Sequence, residues 1–311
     1  MDAKVVHIKP IAGEKPSQFA ERVGREYADT SIQTDKKHKG QFFTPLAISD
    51  FMGRLATPTK KNTVSVLDPG CGLAILSCAL IEHLTECPNL ERITLTLFET
   101  DRKVALLTDN VLRYLKFWCT DKNIELEYEF NDSDFVLEYC DSLVDDGNIF
   151  SCLPDAKKFD YIISNPPYYK LPKEDVHSRS CACIIDGQTN IYALFMAICA
   201  RLLVQSGQMI FITPRSFASG RYFRSFRDFL FRHVHIDFIH LFNTRRDTFA
   251  KDSVLQELVI TRMRPFVDSS NVMVSYSQGI LDLNSSNQKE YVASDIVDVL
   301  SDEKVVFPAS G

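Results

Sequence analysis

Short apolar runs alternate with longer helical patterns along most of this chain, and this alternation constrains the fold more than any other feature. The runs end at turns or acidic residues, which is typical of buried strands in a parallel sheet. We predict strands over residues 64–67, 93–98, 126–130, 159–164, 208–213, 236–241 and 258–262, and helices over 16–27, 46–55, 74–84, 104–119, 191–203 and 223–232. The predicted fold class is therefore α/β, with a mainly parallel central sheet and flanking helices.

The composition indicates a soluble protein with a sizeable core. Hydrophobic residues make up 45% of the 311 residues, and 22 residues are Phe. The longest apolar stretch, 191–200, is about half of the ~20 residues that a membrane span needs. The first thirty residues contain no apolar block of the kind that forms a secretory signal. We therefore expect no membrane association.

The nine cysteines are scattered along the chain. Without a secretory signal they indicate reduced thiols, so we expect a cytoplasmic protein. Cys181 and Cys183, with His177 nearby, match no common zinc spacing and have no evident fourth ligand. No metal site is expected.

The net charge of −6 conceals two regions of opposite sign. Residues 121–160 contain twelve acidic residues and three lysines, whereas residues 201–251 contain nine basic and three acidic residues. The basic region suits contact with phosphates, because such contacts depend on the local field rather than on the average charge. A solvated basic face is the alternative, and the charge pattern alone favours it.

An Asp-Pro-Gly-Cys-Gly turn at residues 68–72 joins the predicted strand 64–67 to a helix. Its glycines allow the backbone to approach a ligand, and the helix start offers unpaired N–H groups. The next strand is followed by Glu99, whose carboxylate can accept two hydrogen bonds from a ribose diol. Taken alone, the turn is equally consistent with a purely structural role, and Glu99 with a solvated or capping carboxylate.

The most specific motif is Asn165-Pro166-Pro167-Tyr168, which directly follows the predicted strand 159–164. Its two prolines remove two backbone donors and stiffen the loop. The amide oxygen of Asn165 and the nearby backbone carbonyls are then acceptors for a planar –NH₂ group, and Tyr168 offers an aromatic face for stacking on it. The motif therefore predicts a site for a planar amino group.

In their order and spacing, these motifs resemble the gamma-ordered S-adenosylmethionine-dependent DNA adenine-N6 methyltransferases of restriction–modification systems. The resemblance covers roughly residues 38–265. It is carried by the segments 40–45, 68–72, 134–135 and 165–168 together with Glu99, and it continues through 190–192, 214–216, 248–250 and 254–257. It implies a Rossmann-like methyltransferase fold, S-adenosylmethionine as the cofactor and double-stranded DNA as the partner.

The resemblance also implies roles for individual residues. Glu99 would bind the ribose of the cofactor, and Asp134 and Phe135 its adenine; the full set of cofactor-binding residues would be Phe43, Thr44, Asp68, Gly70, Gly72, Glu99, Asp134 and Phe135. The catalytic loop would comprise Asn165, Pro166, Pro167 and Tyr168. Residues expected to neutralise DNA phosphates are Arg215, Arg221, Arg224, Arg245 and Arg246.

Phe249 has two interpretations. In a chain with so many phenylalanines it is a core residue by default. The resemblance instead implies that it stacks on a target adenine flipped out of the duplex, on the face opposite Tyr168. We expect the stacking role.

Three other functions share part of this pattern. A similar loop serves enzymes that methylate the glutamine side-chain amide of release factors, and RNA adenine-N6 methyltransferases also act on a planar amino group. A non-catalytic DNA-binding subunit is the third alternative, although the intact loop argues against it. Segment 40–45 and the tract 254–256 favour the DNA enzymes.

Two departures from the family pattern are visible. Leu73 follows the turn at a position where the family usually has Ser or Thr, and family members usually carry a target-recognition domain after the catalytic domain. We predict an N-terminal helical segment over residues 1–37, the catalytic domain over 38–265, and a linker or the start of a truncated target-recognition domain over 266–311. Recognition of a DNA sequence would then come from a missing domain or from a separate subunit.

Overall fold

The computed structural model describes residues 8–30, 44–143, 157–184, 189–242, 258–265, 271–297 and 306. The strands in these ranges are β1 (Thr63–Asp68), β2 (Arg92–Phe98), β3 (Glu125–Asn131), β4 (Phe159–Ser164), β5 (Lys170–Leu171), β6 (Thr189–Asn190), β7 (Leu203–Pro214), β8 (His235–Phe242), β9 (Leu258–Arg264), β10 (Asn271–Ser277) and β11 (Asn287–Val292). The helices are α1 (Pro16–Thr30), α2 (Leu46–Leu55), α3 (Ile75–Leu84), α4 (Arg102–Thr120), α5 (Phe135–Tyr139), α6 (Val176–Ser180), α7 (Ile191–Leu202), α8 (Arg224–His233) and α9 (Ala293–Ile296).

Nine of the described strands form one sheet in the order β11-β10-β8-β9-β7-β4-β1-β2-β3. Neighbouring strands from β3 to β7 are all parallel. Strand β9 runs antiparallel between β7 and β8, and β11 is antiparallel to β10 at the edge. The predicted α/β class with a mainly parallel sheet is confirmed.

The strand order changes direction beside β1, because β2 follows on one side and β4 lies on the other. In a parallel sheet of this kind, a crevice opens at the carboxyl ends of the two strands where the order reverses. The crevice therefore lies next to Asp68, the last residue of β1, and Ser164, the last residue of β4.

Helices cover both faces of the sheet. Residues of α1 to α4 form one hydrophobic cluster with the sheet, and residues of α5, α7 and α8 form the other. Helix α7 is buried at every position except Arg201, as expected for a helix that is apolar on nearly all sides. None of the described helices combines the length and the apolar character needed to cross a membrane.

The sheet extends further than the sequence predicted. We placed the last strands at 236–241 and 258–262, but β10 pairs in parallel with β8, and β11 pairs with β10. Ser, Asn and Asp in this part of the chain conceal the strand pattern, although Val272 and Val274 alternate with less buried residues as a half-buried strand requires. The domain limits at 37 and 265 stay predictions.

Helix α1 begins against a carboxylate from another helix. The backbone N–H of Ser17 donates to Glu82 Oε1 at 2.7 Å, and the Ser17 hydroxyl donates to Oε2 at 2.9 Å. Glu82 is buried on α3, and burial raises its pKa while the two bonds from Ser17 lower it. Glu82 thus caps the amino end of α1 in place of a local capping residue.

Replacing Glu82 by alanine should lower the free energy of unfolding by about 1–3 kcal/mol, because the buried N–H and hydroxyl of Ser17 then lose their acceptor. Urea denaturation at pH 7 measures the change. Glu86→Ala is the matched control, since that side chain is 77% exposed and its loss should matter little. Equal stability of the two variants would contradict the capping role.

Candidate cofactor and catalytic site

Four sequence motifs meet at one edge of the sheet. Asp68 ends β1, Glu99 follows β2, Asp134 lies three residues beyond β3, and Asn165 follows β4. These strands are neighbours in the order β4-β1-β2-β3 and all run in the same direction. Their carboxyl ends therefore bring the four side chains to the same rim of the crevice.

The turn at residues 68–72 is held from several sides. The Cys71 N–H donates to the carbonyl of Phe98 at 2.9 Å, and the hydroxyl of Thr108 donates to the carbonyl of Gly72 at 2.6 Å. Gly72 has a φ of +51°, which is the left-handed region that favours glycine. A Cβ on Gly70 would come within 3.4 Å of the Phe195 ring. The glycine backbone is therefore fixed against the strand ends.

Leu73, the departure from the family pattern, is buried in the hydrophobic cluster beneath α1 to α4. The residue that follows it, Ala74, has a φ of +58° and precedes the first turn of α3. The left-handed conformation at Gly72 and Ala74 allows the chain to turn sharply from β1 into α3. Leu73 thus contributes a core contact at this point of the chain.

Asp68 is fully buried behind the turn. Ser77 Oγ donates to its Oδ2 at 2.7 Å, while Oδ1 is buried without a hydrogen-bond partner among the described residues. Burial raises the pKa of Asp68 to about 7, although the Ser77 hydroxyl and the backbone N–H of Gly70 lower it, and the nearby carboxylate of Glu99 raises it further. A buried carboxyl group with an unpaired oxygen is suited to bind a cation or a strong donor.

Glu99 is oriented by backbone donors. Its Oε2 accepts from the N–H of Gly72 at 3.2 Å, and its Oε1 accepts from the N–H of Asp101 at 2.7 Å. A carboxylate offers about four acceptor positions, so these two bonds are compatible with further bonds to a diol. The role of Glu99 on a ribose stays a prediction, and the structure adds a second role in tying β2 to the glycine turn.

Asp134 and Phe135 begin α5. Asp134 Oδ1 accepts from the N–H of Leu137 at 3.0 Å, and Oδ2 lies 2.9 Å from His177 Nε2. Burial by itself raises the pKa of Asp134, but the bond from His177 and the helix amides bring it below its ordinary value. Phe135 is buried in an aromatic cluster, with its ring 5.2 Å from that of Phe195. Phe195 in turn lies beneath Gly70.

The catalytic-loop residues contact one another and a distant segment. Asn165 Nδ2 donates to Thr44 Oγ1 at 3.0 Å, which joins Thr44, just before α2, to this loop. The Tyr168 hydroxyl contacts Asn165 Oδ1 and donates to the carbonyl of Ile212 at 2.8 Å. Burial raises the pKa of Tyr168 well above its ordinary value, so the hydroxyl stays protonated and donates. The contact of Tyr168 with Asn165 was not foreseen from the sequence.

Two prolines separate Asn165 from Tyr168. Pro166 is buried and Pro167 is half-buried, and neither has an N–H to donate. The Tyr168 ring makes an edge-on contact with the ring of Tyr192 at 6.3 Å, and the Tyr192 hydroxyl bonds with Ser216 Oγ at 2.9 Å. The contact with Tyr192 thus supports the loop 165–168.

Three of the arginines expected to contact phosphates follow β7. Arg215 opens the 3₁₀ turn Arg215–Ala218, Arg221 opens the turn Arg221–Phe223, and Arg224 is the first residue of α8. Arg221 and Arg224 are exposed, and Arg215 is half-buried. The phosphate role of these residues stays a prediction. Phe43, Phe249, Arg245 and Arg246 lie outside the described residues.

A buried arginine supports these turns from below. Arg227 on α8 is completely inaccessible, and its guanidinium donates to the carbonyls of Phe217 at 3.1 Å and Gly220 at 3.0 Å. The basic segment thus contains at least one arginine with a structural role, which the charge count could not reveal.

Sequence reasoning missed several residues that support the site. Ser77 holds Asp68, Thr108 holds Gly72 and His177 contacts Asp134. We had considered His177 only as a metal ligand with Cys181 and Cys183. Within the described ranges, no group of three or more His, Cys, Asp or Glu residues could hold a metal ion. Ser77 lies only nine residues from Asp68, but the other two contacts span 36 and 43 residues, and no local pattern identifies those.

The site fits a nucleoside that carries an amine. The buried unpaired oxygen of Asp68 suits an ammonium group, and the fixed carboxylates of Glu99 and Asp134 suit hydroxyl and amino donors. Gly70 and Gly72 keep side chains away from the turn, so a ligand can approach the backbone there. This combination, at the point where the strand order reverses, is the arrangement expected of the S-adenosylmethionine-dependent methyltransferases.

Comparisons with known proteins agree with this class. The family of Eco57I restriction-modification methylases matches residues 85–249. The Type II methyltransferase M.BsuBI of Bacillus subtilis is 33% identical over 243 residues, which is 78% of this chain and 47% of that protein. The Type II methyltransferase M.PstI of Providencia stuartii is 26% identical over 254 residues, which is 81% of this chain and 48% of that protein. The chain thus spans about half the length of these relatives.

A solved structure shares the fold. It comes from Listeria monocytogenes, is assigned to the class I S-adenosylmethionine-dependent methyltransferases, and superposes with a TM-score of 0.62 at 17% identity, covering 89% of this chain and 77% of the other. The chain belongs to the Eco57I restriction-modification methylase family, which matches more than half of its length. S-adenosylmethionine is therefore its cofactor, and the resemblance to the methyltransferases of restriction–modification systems is confirmed.

Proposed function

We propose that this chain is the catalytic part of a DNA adenine-N6 methyltransferase of a restriction–modification system. The observation that carries the proposal is the position of Asn165-Pro166-Pro167-Tyr168 at the end of β4, directly beside the Asp68 turn at the end of β1. An acceptor loop for a planar amino group thus lies at the rim where the cofactor binds.

The loop residues would act by binding and orienting the amino group. The amino group donates hydrogen bonds to the side-chain oxygen of Asn165 and to the carbonyl of Pro166, which draws the nitrogen lone pair out of conjugation with the ring. S-adenosylmethionine would supply, when bound, an electrophilic methyl group for that lone pair to attack. Since Thr44 and Tyr168 contact the Asn165 amide, its orientation is set before the substrate arrives. Catalysis is then mainly positioning and electrostatics.

The remaining assignments concern the DNA. The target adenine would be flipped out of the duplex, at a cost of a few kcal/mol, and held between Tyr168 and Phe249. The five arginines named above would neutralise phosphates around it. Sequence recognition would come from a further domain or subunit, because specific binding needs base contacts besides phosphate contacts. We place this activity in the cytoplasm.

The substrate class is tested by transfer of a tritiated methyl group from S-adenosylmethionine to unmethylated duplex DNA, to RNA and to a release factor. We expect label in the duplex DNA, recovered after digestion as N6-methyl-2′-deoxyadenosine. Label found instead in RNA, in the glutamine of the release factor, or in a different base would overturn the proposal and identify one of its alternatives. Cofactor binding without transfer to any substrate would indicate a non-catalytic subunit.

A further inference from the structure

His177 lies between two carboxylates. Its Nε2 is 2.9 Å from Asp134 Oδ2, and its Nδ1 is 2.6 Å from Asp175 Oδ1. Asp175 Oδ1 also accepts from the backbone N–H of His177 at 2.9 Å and so caps α6. The His177 side chain is only 14% exposed. The family resemblance assigns Asp134 to the adenine of the cofactor but gives no role to the other two residues.

This arrangement determines the charge of the ring. A carboxylate oxygen only accepts hydrogen bonds, so a histidine with a carboxylate on each ring nitrogen carries a proton on both. The bond to Asp134 raises the pKa of His177, burial opposes this, and Asp175 raises the pKa again. Burial and both carboxylates raise the pKa of the nearby Tyr169, while burial, the neighbouring Cys140 and Cys183 and then Asp134 raise that of Cys181, so both groups stay neutral and protonated.

The histidine in turn controls the carboxylate. Asp134 has one oxygen on the Leu137 amide of α5 and the other on the charged ring of His177, so its rotation and its protonation are both restricted. An ionised carboxylate accepts a hydrogen bond from the amino group of adenine, but it repels the carbonyl oxygen of hypoxanthine. A fixed, ionised Asp134 therefore discriminates between these two bases.

We propose that His177 is a positioning residue of the cofactor site, which holds Asp134 ionised and correctly oriented for the adenine amino group of S-adenosylmethionine. The proposal rests on the proposed assignment of Asp134 to that adenine. His177 lies on α6, nine residues beyond Tyr168, so the same contact joins the segment that follows the catalytic loop to the adenine subsite.

The test compares two ligands by calorimetry. One is S-adenosylhomocysteine and the other is S-inosylhomocysteine, in which the adenine amino group is replaced by a carbonyl. Wild-type protein should prefer the first by about tenfold or more, as expected for a charge-assisted hydrogen bond. His177→Gln should weaken binding of S-adenosylhomocysteine by about five- to tenfold and leave S-inosylhomocysteine within about twofold. His83→Gln, a half-buried histidine hydrogen-bonded to the Ala56 carbonyl, is the matched control and should change neither affinity.

The pH dependence supplies a readout that a merely structural role would not give. The ligand preference of wild-type protein should fall as pH rises through the raised pKa of His177, because the neutral ring no longer donates to both carboxylates. Asp175→Asn retains a capping side chain and removes one of these carboxylates, so it should move the fall in preference to lower pH. The ratio of the two affinities cancels effects on the shared homocysteine part.

The possible outcomes distinguish the role of His177 from the assignment of Asp134 to the adenine. If Asp134→Asn leaves the wild-type preference intact, Asp134 does not bind the adenine and both ideas fail. If Asp134→Asn removes the preference while His177→Gln keeps it, the adenine assignment stands and the role of His177 is overturned. Equal weakening of both ligands in His177→Gln would indicate a structural residue and would also overturn the inference.

Discussion

Replacing Asn165 by alanine is expected to reduce methyl transfer to DNA by about 1,000-fold while changing the affinity for S-adenosylhomocysteine by less than about twofold. The amide oxygen is proposed to accept a hydrogen bond from the target amino group, and this interaction strengthens as the nitrogen becomes positively charged. Single-turnover transfer and calorimetry measure the two quantities separately. Because Asn165 also donates to Thr44, loss of that bond could disturb the loop as well.

Two variants separate chemistry from loop structure. Tyr168→Phe removes the hydroxyl that contacts Asn165 and keeps the aromatic ring, so we expect a loss of about tenfold, well below that of Asn165→Ala. Asn110→Ala on α4 removes an amide that donates to the Ile8 carbonyl, and this control should leave transfer unchanged. Substantial turnover by Asn165→Ala, or an equal loss of cofactor affinity, would contradict the catalytic assignment.

The second large effect concerns Asp68 and the uptake of the cofactor. Its pKa is raised to about 7, mainly by burial, so the carboxyl group is protonated in part of the molecules at neutral pH. If its unpaired Oδ1 binds the ammonium group of the ligand, binding must ionise Asp68 and release its proton. Affinity for S-adenosylhomocysteine should therefore rise with pH until about pH 7 and then level off.

Calorimetry in buffers of different ionisation enthalpy counts the released protons. We expect about half a proton at pH 7 and nearly one at pH 6 for wild-type protein. Asp68→Asn should release none and should bind S-adenosylhomocysteine about 10- to 100-fold more weakly, because it lacks the charge-assisted bond. Glu82→Gln, which alters another buried carboxyl group with a raised pKa, should keep the wild-type proton count. Proton release that persists in Asp68→Asn would contradict the assignment.

The same ionisation affects the stability of the ligand-free protein. A carboxyl group whose pKa is raised on folding contributes stability that is fully present below its unfolded pKa of 3.8. This contribution is lost as the pH rises through the folded pKa of about 7. The shift from 3.8 to about 7 corresponds to a loss of at most about 4 kcal/mol. Asp68→Asn should therefore show a flatter pH dependence of the unfolding free energy than wild-type protein.

The local sequence was sufficient for the strand ends and the motifs beside them. A strand such as β4 is recognisable because Phe159–Ser164 is a short apolar run, and its end is marked by Asn165 and two prolines. Once the sheet is known to be parallel, the end of each strand must lie on the same side. The convergence of Asp68, Glu99, Asp134 and Asn165 then follows from topology alone, so most of the proposed site was predictable.

The tertiary structure alone decided which side chains support that site. Three of the hydrogen bonds join residues far apart in sequence: His177 and Asp134 are separated by 43 positions, Asn165 and Thr44 by 121, and Glu82 and Ser17 by 65. The addition of β10 and β11 to the sheet was also missed, because the alternation of Val272 and Val274 is short and the sequence around it is polar. Hydrogen bonds of this kind depend on how helices and loops pack over the sheet, and packing is set by long-range contacts that leave no periodic pattern in the chain.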